Sequence, residues 1–105
     1  MNFTPKFFME TEFLRSQLTE NLDEAEWDWL TPHLEREIVI IVESQLDLLT
    51  VGEAIAQDNA LSVQHWISEA LIHKPSPEQV LQWNDQPKKR FKALIVQPFV
   101  LIQEF

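Results

Sequence analysis

The last fifteen residues, Phe91 to Phe105, read FKALIVQPFVLIQEF. β-Branched, aromatic and leucine residues dominate, a composition that favours extended backbone over helix. So apolar a run has to be buried in a water-soluble chain, so the residues before it must supply the cover. Gln103 and Glu104 interrupt it near its end, and Gln97–Pro98 separates its two apolar quartets. Proline cannot donate to a β-ladder, so the sequence predicts a bulge, a bend or an edge there, with two extended halves hinged at the pair. The first half is expected to lie against Ile38–Val42 and the second to run on toward an edge or a partner. A buried Gln97 would need partners for its amide. Gln97 and Gln103 are therefore the candidates for lining a pocket, against the plainer reading of a bend that guards against edge-to-edge aggregation.

The cover is read as about five helices. Thr4–Pro5 suits the start of one running to about Leu18, with Phe7, Leu14 and Leu18 at helical spacing. A second is expected after Asp23, carrying Trp27 and Leu30, with a kink or a restart capped by Thr31 at Pro32. Ile38–Val42 reads as a buried strand. Asp47 then caps a helix from Leu48 to about Gln57, with Gly52, the one glycine of the chain, in its middle. Glycine there costs about 1 kcal/mol against alanine, which points to close packing against a neighbouring backbone. Asp58–Asn59 starts a helix to about Ala70, with Val63, Trp66 and Ile67 inward. Leu71–His73 is a short extended piece. Ser76-Pro77-Glu78-Gln79 is a capping box that opens a last helix burying Val80 and Trp83. With a single glycine, tight hairpins are not expected and helices should join the strands.

Length and composition fit one domain spanning 1–105: 45% of residues are hydrophobic and 24% charged. There is no cysteine, so neither a disulfide framework nor a cysteine nucleophile can be built. No stretch is apolar for long enough to cross a membrane, and the start of the chain lacks a signal-peptide layout. A cytoplasmic location is expected. Eight basic and seventeen acidic residues give a net charge of −9, a field that repels phosphate backbones and disfavours nucleic acid. Lys88, Lys89, Arg90 and Lys92 form the one basic patch, expected as a solvated loop that could also meet acidic residues of a second copy. No glycine-rich phosphate loop is present.

His33, His65 and His73 form no helical metal pair, and a site from His65, Asp58 and Glu53 is outweighed by surface or core histidines. Asp47 and Asp58 read as helix caps, and about 16 Å of helix between them rules out sharing a proton. No metal or cofactor is expected. Trp27 and Trp29 lie about 200° apart on a helix, so both cannot face one core. With Phe7 and Phe8 they are the candidate interface residues, since large aromatics are enriched at protein contacts.

Trp27 and Leu30, Leu46-Asp47-Leu48, Asp58, Trp66, Trp83 and Gln97–Glu104 together resemble the bacterial domain of unknown function 2288 over roughly residues 14–104. Gly52 stands where alanine is expected. The resemblance implies a small cytoplasmic bacterial domain and transfers no catalytic residue.

These readings combine into an α+β fold of about five helices around a small three-stranded sheet of 37–43, 71–73 and 91–104. With no catalytic motif, the expected function is an interaction or assembly protein, with a protein partner or a second copy. The alternatives are a small-molecule binder or enzyme with a pocket near Gln97–Pro98, and weak nucleic-acid binding through residues 88–92.

Overall fold

The C-terminal run turns back on itself at Gln97–Pro98, joined by a cis peptide bond, and the hairpin so formed supplies the two strands at the centre of the sheet. The computed structural model describes the backbone of residues 3–105 and side chains from Glu12 onward. The elements in order are α1 (Phe3–Glu20), β1 (Asp23–Glu26), α2 (Trp27–Leu34), β2 (Val39–Val42), α3 (Leu48–Ala56), α4 (Ala60–Ser68), β3 (Ile72–His73), α5 (Pro77–Asn84), β4 (Arg90–Val96) and β5 (Phe99–Glu104). The sheet order is β1-β4-β5-β2-β3. Only β2 and β5 run parallel; the other pairs are antiparallel.

The class is α+β, but the three-stranded sheet expected from the sequence is replaced by a five-stranded one. One strand was gained because the 91–104 stretch is two strands, reversed by a turn that uses a Gln–Pro pair rather than glycine. The other is β1, Asp-Glu-Ala-Glu, which has poor strand propensity; the helix expected to start after Asp23 begins only at Trp27. Its register with β4 sets Glu24 opposite Lys92 and Glu26 opposite Arg90, and Arg90 reaches both glutamates, so opposite charges meet across the strands. The expected 37–43 strand is shorter because Glu37 has φ 58°, a left-handed turn conformation. The halves of the C-terminal run also exchange places. β4 lies between β1 and β5, while β5 is the central strand against β2.

Helices cover both faces of the sheet. On one, Trp27 and Leu30 of α2 and Trp83 of α5 pack on Val39, Ile41, Phe91, Ala93, Val100 and Ile102. Trp83 meets both Trp27 and Phe91 edge-on, at centroid distances of 5.1 and 4.9 Å, a favoured aromatic geometry. On the other, Leu18 of α1 and Leu48 and Val51 of α3 pack on Val42, Ile72, Leu94, Val96 and Leu101. Gly52 lets α3 approach: a Cβ there would lie 2.7 Å from Leu94 Cδ2. The close neighbour is thus a side chain of β4 rather than a backbone.

Pro32 lies inside α2 without ending it. Its missing N–H would have bonded the Asp28 carbonyl, and the Thr31 hydroxyl donates to that carbonyl instead, at 3.0 Å.

Candidate functional site

α3 and α4 meet at an angle set by chain reversals that use no glycine. Asp58 and Ala70 adopt left-handed φ of 55° and 56° just past the ends of α3 and α4. At each end the amide two residues beyond the cap bonds back into the helix: Asn59 N–H to Ala54 O, and Leu71 N–H to Trp66 O, both at 2.8 Å. This is the Schellman arrangement. Asn59 also caps α4, accepting from the Ser62 amide. Helix α4 is therefore fixed at its two ends, and no residue in it is fully buried. Trp66 and Val63 are partly buried, but Ile67, expected to face inward, is 57% exposed.

The space left beside α4 is an apolar groove of about 670 Å³. The sheet contributes Ile40, Ile72 and Phe99; the helices contribute Ala54, Ile55, Val63 and Ile67. Its polar lining is Asp58, Asn59, His73 and Lys74. The volume falls in the range of small-molecule sites, and a mostly apolar wall with a few polar groups is their usual make-up.

His73 stands on the edge strand β3 with both ring nitrogens engaged. Nε2 lies 2.7 Å from Glu43 Oε2 and Nδ1 lies 2.9 Å from the Lys74 carbonyl. Partial burial works against the charged ring, but hydrogen bonds to the Lys74 carbonyl and to Glu43 outweigh it and raise its pKa above 6.5. With both nitrogens occupied, the ring has no free position from which to move a substrate proton. Lys74 Nζ is paired with Glu37 at 3.0 Å on the surface.

A second polar cluster sits where α1 meets α3. Arg15 reaches both Glu53 and Asp47, the latter at 3.2 Å. Asp47 caps α3, accepting from the Thr50 amide and hydroxyl at 3.1 and 3.0 Å. Burial pushes the Asp47 pKa up, but the bonds from Thr50 and Arg15 prevail and hold it below the usual carboxylate value. Glu53 is thereby engaged with Arg15, while His65 and Asp58 are exposed.

The residues singled out from the sequence separate. Gln97 is exposed in the hairpin turn, and Gln103 is 6% exposed, donating to the Glu43 and Leu46 carbonyls at 3.0 and 2.8 Å. Neither lines the groove; the neighbour of the break that does is Phe99. Trp27 is buried, its indole N–H bonded to Asn84 Oδ1 at 2.9 Å, while Trp29 is 56% exposed. Phe7 and Phe8 fall outside the residues whose side chains are described. The basic patch meets this chain's own acids. Lys88 pairs with Glu26 and Asp28, Lys89 with Glu104, and Arg90 with Glu24 and Glu26. The groove residues were missed as a group, because apolar residues at helical and strand spacing read as core.

Fold and groove together describe a small α+β protein with helices on both faces of a mixed sheet. Residues 13–104 match the family described as Protein of unknown function (DUF2288), and the chain belongs to that family. It is similar to the NMR solution structure of PA1075 from Pseudomonas aeruginosa, with 28% identity and a TM-score of 0.74. That likeness covers 88% of this chain and 84% of the other. No curated protein matches the chain.

Proposed function

We propose that this chain is a binding protein without catalytic activity, taking a small and mainly apolar ligand in the groove between α3, α4 and the sheet. The observation that carries this reading is the groove's lining of Ile40, Ile55, Val63, Ile67, Ile72 and Phe99. A concave, mostly apolar wall of this volume with a few polar groups at its margin is the usual make-up of a small-molecule site. The engaged ring nitrogens of His73 support binding over proton transfer. A cytoplasmic setting is part of the same proposal.

Titration with N-phenylnaphthylamine, an uncharged fluorescent probe, tests it. Saturable binding is expected, weakened about tenfold in Ile67→Glu, because a carboxylate would be desolvated in the groove. Ile67 is half exposed, so the variant should fold. Absence of saturable binding, or equal binding by the variant, overturns the reading.

A second reading is assembly through exposed aromatic surface, supported by Trp29 at 56% and Phe13 at 64% exposure. It expects sedimentation to show association that Trp29→Ala weakens; a strict monomer at high concentration removes it. Nucleic-acid binding through residues 88–92 gains no support from a patch in which Lys88, Lys89 and Arg90 pair with carboxylates of the same chain.

A further inference from the structure

We infer that His73 is a protonation-dependent latch on the β3 wall of the groove, holding the groove in its binding form when the ring is charged and loosening it when neutral; this rests on the binding reading above. The reason is one of hydrogen-bond inventory. A carboxylate and a backbone carbonyl only accept, and a neutral imidazole carries a single N–H. Glu43 Oε2 and the Lys74 carbonyl lie within hydrogen-bond distance of the two ring nitrogens, at 2.7 and 2.9 Å. Only the imidazolium can donate to both. Once the proton leaves, one contact sets a lone pair against an acceptor and is repulsive.

What the latch holds is slight. β3 is two residues long, an edge strand paired with β2 at Ile41–His73 and Val42–Ile72. Ile72, His73 and Lys74 are all groove lining. Besides the β2–β3 ladder, the Glu43 N–H donates to the Leu71 carbonyl at 2.9 Å and Ile72 is buried in the core. The Glu43 side chain, just past β2, adds the contact that holds His73. The charged groups around the ring are few. Glu43 is bonded to it. Lys74, next in the chain, is occupied by Glu37. Asp58 lies in the lining, and α4, which packs against β3, carries His65, with Glu69 just past its end, both exposed. Among these described groups only Glu43 touches the ring through its side chain. The raised pKa of His73 agrees with this arrangement and puts the release on the alkaline side of the ordinary histidine value.

The experiment is a pH series on the full chain from about pH 5.5 to about pH 8.5, spanning the histidine range. NMR follows the His73 ring nitrogens and the Ile72 methyls without ligand, and N-phenylnaphthylamine reports affinity. The two sets of NMR signals should titrate together. Probe affinity should fall about twofold or more with rising pH, as expected when the binding-competent fraction drops to half or below. In Glu43→Gln the amide can donate to a neutral ring, so the alkaline loss should vanish; His65→Asn should keep it. A His73 ring that titrates with no movement at Ile72, or an unchanged pH profile in Glu43→Gln, overturns the latch. Ile72 signals that move with His73 while no probe binds at any pH support the latch and overturn the binding reading instead.

Discussion

Gln103 and Gln97 look alike in the sequence, since each interrupts an apolar run. In the fold they share nothing. Gln103 is the polar side chain buried in the described core, and its amide bonds the Glu43 and Leu46 carbonyls, tying the β2–α3 loop to the central strand. Replacing it with methionine keeps the volume and strands both carbonyls. We expect Gln103→Met to lose about 1–3 kcal/mol in urea unfolding; a loss under about 0.5 kcal/mol would show that water replaces the amide. Because Gln103 bonds the backbone carbonyl of Glu43, whose side chain holds His73, the same change should also disturb the groove. What separates the two glutamines is where the chain reverses: Gln97 is in the exposed turn, and Gln103 is on the central strand, which is buried on both faces. The break at Gln97–Pro98 was legible from proline's missing donor; that it closes a tight antiparallel hairpin was not, because no glycine marks the turn.

The helices were legible wherever a cap spoke for them. Asp47 and Ser76 open α3 and α5 as read, the latter with both halves of its capping box. β1 was not legible, since its strand character comes from a partner more than sixty residues away in the chain and from charges that local propensity ignores. Nor was the lift of α4 from the sheet, which hangs on left-handed residues that are not glycine. Ala70 at φ 56° illustrates the cost. A non-glycine residue there is strained by about 1 kcal/mol or more, part of which glycine would return as unfolded-chain entropy. Ala70→Gly should therefore raise stability by about 0.5–1 kcal/mol in urea titration, leaving probe binding intact because no groove side chain larger than a methyl is removed. A drop in stability would mean the turn is not strained. In α2 the opposite sign is expected. Thr31→Val removes the donor that serves the Asp28 carbonyl in place of Pro32, and should cost about 1 kcal/mol in the same assay.

Across the whole molecule, a net charge of −9 conceals an internal arrangement in which the basic run at 88–92 lies along acidic β1 and the start of α2. The sequence showed the basic run, yet its meeting with β1 required the sheet order, which no local pattern encodes. The same global view fixes how stability should follow pH. Asp47 is held below its ordinary value of 3.8 by hydrogen bonds that overcome burial. The folded state thus binds that proton less readily than the unfolded chain, so the stabilisation is present above 3.8 and drains away as pH falls through the folded value. His73 is shifted the other way, its Lys74 and Glu43 bonds outweighing burial, above 6.5. Its contribution is complete below 6.5 and is lost as pH rises through the folded value. Between these ordinary values both are in force, so Tm should be highest at about pH 5 and decline on either side. Two variants isolate the arms. Asp47→Asn keeps a capping side chain but not the charge, so its Tm deficit should shrink toward acid pH. His73→Asn should show a deficit that shrinks toward alkaline pH. Deficits that stay constant across the series would mean that neither group titrates with folding, and would remove the charge of His73 as a support for the β3 wall.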